Sequence, residues 1–216
     1  MNFIAENTVI MEKSIAPREL PFKQFEKIGL SKEDVLNLPK QDLKNLLSGY
    51  RTDIVPLKID QDGLNINIEG KLSLKRNNDD TVSLIVHPSR KEIDNQYNLN
   101  EEQLNRLKKG EILELDLQAK NKEITPHLVQ LDQSINELIS AVKDNIRIPE
   151  KIQGIQLSNE QKELIASGKS VSLSTDKGEV KVQLNLNDSS GIRIDSPLGY
   201  DRNNKLDQST KEDLKR

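Results

Sequence analysis

Apolar and polar positions along the chain change several times from a helical spacing to strict alternation. Three short segments with helical spacing each end at a glycine, and each glycine is followed by runs in which every second residue is apolar. These glycines are Gly49, Gly110 and Gly168. A period of 3.6 residues is typical of a helix, and a period of two indicates a strand with one buried face. The pattern predicts units that each combine a short helix with a small antiparallel sheet.

The ends of these helices carry recognisable signals. Ser158 and Gln161 have the spacing of a capping box, and Asn100 and Gln103 have a looser version of it. Pro39 suits the first helical position, where a missing N–H costs nothing. A closing glycine adopts the left-handed backbone that ends many helices. Because helices this short are unstable alone, each is expected to pack on the strands that follow.

Turn residues separate the alternating runs. They predict hairpin turns at residues 62–63, 77–80 and 176–178. Before the first unit, the spacing predicts a short helix that ends at Gly29 and a second helix capped by Ser31 and Asp34. Residues 135–142 have apolar positions that fit either a helix or a strand, and the sequence leaves both open.

We therefore expect an α+β fold made of repeated units, each a short capped helix packed on a small antiparallel sheet (a hairpin or meander). The expected boundaries are an N-terminal segment at 1–17, a first α+β domain of two units at 18–145, and a smaller helix-plus-hairpin domain at 146–196. Residues 197–216 are almost wholly polar and are expected to form a flexible tail.

Composition narrows the classes of protein that fit. Aromatic residues make up 3% of the chain, and the net charge is −3, which argues against a generally basic nucleic-acid binder. The chain contains no cysteine, so disulfides, thiolate nucleophiles and Cys-ligated zinc are excluded. No apolar run is long enough for a membrane span, and no secretion signal is recognised. We expect a cytoplasmic protein without membrane contact.

Candidate catalytic and metal-binding patterns are weak. The two histidines, His87 and His127, lack the close spacing of metal ligands, and no nucleophile elbow is present. A hydrolytic triad needs no sequence proximity, so the sequence alone does not exclude one. We expect no enzyme activity and no cofactor.

One polar cluster is a candidate binding site for an anion. The segment at residues 87–91 follows a predicted strand, and its cations are suited to a phosphate group. A second polar set lies near a predicted strand end. The candidate site comprises Arg51, His87, Arg90, Lys91, Gln130 and Asp132. The alternative is that these are solvated side chains that pair with neighbouring carboxylates.

Several stretches resemble two uncharacterised domain families of Bacteroidetes that occur in tandem, often on conjugative or other mobile elements. The resemblance rests on residues 25–31, 36–40 and 46–52, continues through 71–74, 87–91 and 129–132, and includes 148–154 and 157–168. It covers roughly residues 18–190. It implies a domain of unknown function, and it brings no activity, ligand or site residue with it.

Three functions follow from these observations. The first is a non-catalytic binding or adaptor protein, accessory to a mobile element, whose partner is another protein. The second is a protein that binds a phosphorylated small ligand or nucleotide through the candidate site. The third is a nucleic-acid-binding accessory protein, which requires the cations to share one face.

Overall fold

The computed structural model describes residues 14–61, 64–118, 123–176 and 178–195. Within these residues the α-helices are α1 (Phe22–Glu26), α2 (Lys32–Leu36), α3 (Lys40–Leu47), α4 (Glu101–Lys108) and α5 (Asn159–Ala166). The strands are β1 (Val55–Gln61), β2 (Leu64–Arg76), β3 (Val82–Pro88), β4 (Leu113–Gln118), β5 (Ile124–Asp132), β6 (Glu137–Val142), β7 (Lys151–Ile152), β8 (Ile155–Gln156), β9 (Val171–Thr175), β10 (Gly178–Leu184) and β11 (Ile192–Asp195). Short 3-10 turns occupy Pro17–Glu19 and Lys143–Asn145.

The strands form small antiparallel sheets, which confirms the expected α+β class. In the described part of the chain there are three sheets of three strands, with the orders β1-β2-β3, β4-β5-β6 and β11-β10-β9, and one β7-β8 pair. An eight-residue helix and a glycine precede each three-stranded sheet. The glycines Gly49, Gly110 and Gly168 have φ values of 76°, 82° and 81°. This left-handed backbone ends each helix and turns the chain toward its sheet.

The predicted helix caps are present. Ser158 Oγ accepts a hydrogen bond from Gln161 N at 3.1 Å, and Gln161 Oε1 accepts one from Ser158 N at 2.9 Å. Asn100 caps α4 in the same way. Pro39 is the N-cap of α3 with extended backbone, so the helix begins one residue later than the sequence suggested.

The predicted turns, the ambiguous segment at residues 135–142 and the C-terminal strand have different outcomes in the structure. Residues 77–80 form the predicted turn, but residues 62–63 and 177, which belong to the other two predicted turns, lie outside the described residues, as do 1–13 and the expected tail. The ambiguous segment is strand β6. Strand β11 was not predicted, because only Ile192 and Ile194 supply its apolar alternation and two positions are too few to recognise.

Apolar side chains collect into three clusters. The first joins α1, α2 and α3 to one face of the β1-β2-β3 sheet. The second packs α4 on the face of the β4-β5-β6 sheet that carries Val129 and Leu131. The third packs the opposite face, through Leu128 and Ile139, against α5 and the β9-β10-β11 sheet. The β4-β5-β6 sheet is therefore covered on both faces. The division into domains at residue 145 stays a prediction.

Candidate functional site

A buried network of charged and polar side chains lies where the β1-β2-β3 sheet meets the β5–β6 hairpin. We call it the polar network, and it consists of Arg51, Lys71, Ser73, His87, Arg90, Asp132 and Glu137. Charged groups are rarely buried unless they are paired, so each contact in the network needs a physical account.

Arg51 reaches the network because the chain turns at Gly49 directly after α3. The carbonyl of Arg51 accepts a hydrogen bond from the buried Asn45 side chain at 3.0 Å. The next residue, Thr52, donates its N–H to Leu72 O at 2.9 Å and accepts from Leu72 N through Oγ1 at 3.0 Å. These bonds fix the Arg51 backbone between α3 and β2.

Strand pairing places three members of the network on one face. Lys71 of β2 is opposite His87 of β3, and Ser73 lies two positions further along β2. Side chains two residues apart share a face, so Lys71, Ser73 and His87 lie together. The intervening Leu72 and Leu74 point to the opposite face, into the first apolar cluster.

The β5–β6 hairpin supplies the two carboxylates. Asp132 ends β5 and Glu137 begins β6, and they are directly opposite each other. Ser134 in the turn donates to Asp132 Oδ1 through its hydroxyl at 2.6 Å and through its N–H at 3.2 Å. The turn also binds the segment after β3, because Arg90 N donates to Ile135 O and Asn136 Nδ2 donates to Arg90 O.

Glu137 is the centre of the network. Arg51 Nη2 lies 2.7 Å from its Oε1, His87 Nδ1 lies 3.1 Å from the same oxygen, and Arg90 Nη1 lies 3.1 Å from Oε2. Asp132 Oδ2 lies 2.9 Å from Lys71 Nζ and 3.5 Å from Arg51 Nη1. The two carboxylates thus oppose the charges of three cations, of which Arg51 is buried and Lys71 and Arg90 are partly exposed.

The pKa values of this site reflect the same contacts. Burial by itself raises the pKa of Glu137, but the His87 hydrogen bond and the charges of Arg51 and Arg90 lower it to about 2. Burial lowers the pKa of His87, and the Arg51 charge adds to this against the opposing pull of Glu137. At neutral pH, Glu137 is ionised and His87 is neutral.

Ser73, His87 and Glu137 are arranged in the order of a hydrolytic triad. A carboxylate can only accept, so His87 Nδ1 donates to Glu137 and Nε2 accepts from Ser73 Oγ at 2.8 Å. A nucleophile must also reach its substrate. Ser73 is 6% exposed and His87 is 4% exposed, and neither lines the two clefts described below. We interpret the triad geometry as a structural hydrogen-bond chain.

Two clefts open near the network. The first, the junction cleft, has a volume of about 280 Å³ and takes lining residues from all three helix-and-sheet units. The second, the basic groove, has a volume of about 590 Å³ and lies between the α4–β4 connection and the α5–β9 connection. Arg193 and Gly110 line both clefts, so the two clefts adjoin.

The structure brings most of the candidate site residues together. Arg51, His87, Arg90 and Asp132 all belong to the polar network. Gln130 lies two residues before Asp132 and accepts from Leu186 N at 2.7 Å, so it attaches β5 to the segment after β10. Lys91 is exposed and outside the network.

Sequence reasoning left Glu137, Lys71 and Ser73 out of the candidate site. Glu137 is the only charged residue in the apolar run at residues 135–142, and this isolation is a signal of a buried charge. Ser73 lies between Leu72 and Leu74 on a strand, where a serine usually faces solvent, so it gave no signal.

Two other kinds of site are absent from the described residues. No group of three or more His, Asp or Glu side chains there is placed to hold a metal ion. None of the helices in those same residues has the length and apolar character needed to cross a membrane.

Comparison with known proteins gives one match. No curated protein and no solved structure significantly matches the chain. The matched segment contains α1, α2, α3 and the whole β1-β2-β3 sheet, together with Arg51, His87 and Arg90 of the polar network. Residues 15–98 match the model of the family described as a protein of unknown function (DUF4099), so this part of the chain is similar to an uncharacterised domain of unknown function.

Proposed function

We propose that the chain is a non-catalytic adaptor that binds an acidic, extended segment of another protein in the basic groove. The observation that carries this proposal is the charge of the groove. Its lining contains five cations and two carboxylates, although the chain as a whole has a net charge of −3. The cations are Arg106, Lys109, Lys169, Lys181 and Arg193.

Three of these cations are available to a partner. Arg106 pairs with Glu111 at 2.8 Å, and Arg193 pairs with Asp195 at 3.2 Å. Lys109, Lys169 and Lys181 are exposed, and within the described parts of the chain none of them has a carboxylate at ion-pair distance. Free cations in one groove raise the local concentration of an anionic partner and speed its association.

The shape of the groove favours a polypeptide. One wall is residues 112–115, at the start of β4, and β4 is an edge strand of its sheet. An edge strand presents backbone donors and acceptors to which an extended peptide can add. None of the residues described as lining the groove is aromatic, so it has no platform for stacked bases.

The polar network supports a non-catalytic role. Its carboxylates oppose the charges of Arg51, Lys71 and Arg90, and its serine lies beneath the surface. The resemblance of residues 18–190 to tandem domains of mobile elements supports an accessory role in such an element. The lack of cysteine agrees with a cytoplasmic location. The three helix-and-sheet units are proposed to be an internal repeat.

The test is capture of partners from lysate of the source organism with three tagged baits. These are the wild type, the groove variant K109E/K169E/K181E and the control K23E/K27E/K44E, which changes the net charge equally at exposed lysines outside the groove. Each lysate is used both with and without nuclease treatment. We expect a stoichiometric protein with the wild type and the control, and at least a ~10-fold loss with the groove variant.

Two results would count against the proposal. Equal capture of the partner protein by all three baits would show that the basic groove is not part of the interface. Recovery only of nucleic acid, in samples without nuclease, would favour the third function of the sequence analysis. Labelling of Ser73 by a fluorophosphonate probe would contradict the non-catalytic role separately.

A further inference from the structure

The outer edge of β4 is the part of the basic groove to which a strand can add. β4 pairs with β5 on one side and, in the described part of the chain, with no strand on the other. In an antiparallel ladder, opposite residues alternate between pairs that exchange hydrogen bonds and pairs that do not. Every second residue of an edge strand therefore directs its N–H and C=O outward. The identity of these residues in β4 decides the register of a partner strand.

A contact on the far side of the same sheet fixes this alternation. The Leu138 carbonyl on β6 accepts a hydrogen bond from Gln96 Nε2 at 3.3 Å, so it points away from β5. Leu138 and its opposite residue Leu131 are therefore a pair without hydrogen bonds, and the backbone groups of Leu131 point toward β4. The same holds for the residues two and four positions earlier on β5, which are opposite Leu113 and Leu115. Leu113 and Leu115 thus bond to β5.

Glu114 and Asp116 alternate with these leucines, so their N–H and C=O groups point outward. Pro126 agrees with this assignment, because it is opposite Asp116 and has no N–H to donate to β4. Within the residues that the structure describes, none of these four backbone groups has a hydrogen-bond partner. Both residues are exposed. The edge of β4 therefore offers two donors and two acceptors to an added strand.

The available cations of the groove lie beside the start of β4. Lys109 is three residues before Ile112 in the chain. Lys169 follows Gly168, where a Cβ would lie 2.9 Å from Cβ of Ile112. Lys181 on β10 lines the same groove as these residues, whereas the last residues of β4 do not line it. Acidic side chains of a partner strand are therefore favoured at the end that lies beside the start of β4.

The next positions along β4 favour other side chains. Opposite residues of paired strands lie on the same face and contact each other. Leu115 is half-buried and packs against the second apolar cluster, so it favours an apolar residue opposite it. Asp116 is exposed, so it disfavours an acidic residue opposite it and favours a basic one. The preference of the edge thus changes from acidic to apolar to basic along β4.

We propose, on the basis of the function proposed above, that the partner segment adds to β4 as an antiparallel strand with its acidic residues at its C-terminal end. Strands β4, β5 and β6 already pair in this orientation. In antiparallel pairing the partner residue opposite Asp116 comes first, the residue opposite Leu115 follows it, and the residue opposite Ile112 comes three positions later. The partner therefore carries a basic residue, directly followed by an apolar residue, with acidic residues beginning three positions after the apolar one.

The test begins with a selection of random twelve-residue peptides, displayed on phage, on the full chain. Selected peptides are synthesised with a single N-methyl group at each residue in turn. An N-methyl group removes one N–H, and successive N–H groups of an added strand point alternately toward β4 and away from it. Calorimetry measures the affinity of each peptide for the wild type, for the groove variant and for its control with three exposed lysines changed.

We expect the selected peptides to share the order basic, apolar, acidic from their N-terminal end. N-methylation should weaken binding at least ~10-fold at every second residue of the strand and about twofold or less at the residues between. Bound peptide should also slow hydrogen exchange at the amides of Glu114 and Asp116, which have no hydrogen bond in the described structure of the free chain.

Strand addition is overturned if acidic peptides bind but N-methylation has no alternating effect, or if the amides of Glu114 and Asp116 stay unprotected. Acidic residues that precede the apolar residue overturn the antiparallel orientation. All of these results leave the basic groove as the binding site. If no acidic peptide is selected, or if the groove variant binds the peptides as the wild type does, the proposed function fails as well.

Discussion

At the scale of single residues, Glu137 determines how the polar network is arranged. Its partners come from three separate places: Arg51 after α3, His87 in β3, and Arg90 after β3. A buried carboxylate is tolerated when opposite charges and hydrogen-bond donors surround it. The pKa of Glu137 is low, about 2, because of those contacts. The residue therefore stabilises the fold while it is ionised.

We predict that Glu137→Gln destabilises the protein by about 3–5 kcal/mol at pH 7. The substitution keeps the side-chain shape but leaves the buried Arg51 charge with Asp132 alone, at 3.5 Å. Urea unfolding followed by circular dichroism measures the free energy of unfolding. Glu114→Gln is the control, because it breaks the exposed Lys143–Glu114 pair and should cost less than ~1 kcal/mol.

Acid should reduce the difference between the wild type and Glu137→Gln. The pKa of Glu137 is lowered from 4.5 to about 2, so its contribution is present above pH 4.5 and is lost as the pH falls toward 2. The pKa of His87 is also lowered, from 6.5, so protonation below that value destabilises the native state of the wild type as well. A difference that stays constant from pH 7 to pH 3 would show that Glu137 is not the titrating group.

The sequence allowed part of the polar network to be predicted, but not its central residue, Glu137. Arg51, His87, Arg90 and Asp132 were recognised because cations and polar groups followed predicted strands and a helix end. Glu137 belonged to the second polar set near a predicted strand end but was not included in the candidate site. Residues 135–142 fitted a helix as well as a strand. Only the strand assignment places Glu137 opposite Asp132. The cations were expected to bind an external anion, since a sequence does not show which internal carboxylate lies next to them.

At the scale of elements, the glycines that end the helices differ in what surrounds them. Gly110 and Gly168 have nearly the same positive φ, 82° and 81°. A Cβ at Gly110 would meet nothing within 4 Å, whereas a Cβ at Gly168 would lie 2.9 Å from Cβ and Cγ2 of Ile112. Gly168 thus marks a close contact between the end of α5 and the residue that precedes β4.

We predict that Gly168→Ala costs more stability than Gly110→Ala. Both variants pay about 1–2 kcal/mol for a side chain in the left-handed region. Gly168→Ala adds about 1–3 kcal/mol, because Ile112 must move within the third apolar cluster. The difference between the urea unfolding midpoints of the two variants measures the loss of stability caused by the contact with Ile112. Equal losses in the two variants would show that α5 does not pack on this part of the chain.

Prediction of elements from the sequence succeeded where local signals are complete. The caps of α4 and α5 need only two side chains three residues apart, and both were recognised. Strand β11 has two apolar positions and is fixed by pairing with β10, for example Val182 with Ile194. The helix α5 and the β9-β10-β11 sheet pack on the face of β5 and β6 that carries Leu128 and Ile139. This packing depends on contacts between residues far apart in the sequence, so a local sequence pattern cannot predict it.

At the scale of the whole molecule, the segment that matches the family of unknown function is attached to the rest through polar contacts. Residues 15–98 supply Arg51 and His87, and the later part supplies Asp132 and Glu137. Asn45 adds a second connection, because its Oδ1 accepts from Ser189 Oγ at 2.8 Å. These contacts surround the junction cleft and hold its walls in place, so we expect the two parts to open together.

The most direct test of this account is hydrogen exchange measured by mass spectrometry on the full chain in increasing urea, with β2 and β5 as the reporting strands. If the polar network joins the two parts, the amides of both strands exchange through one opening with the same free energy in the wild type. In Glu137→Gln, exchange of β2 and β5 should separate. A wild type in which β2 exchanges at a distinctly different free energy from β5 would contradict the account.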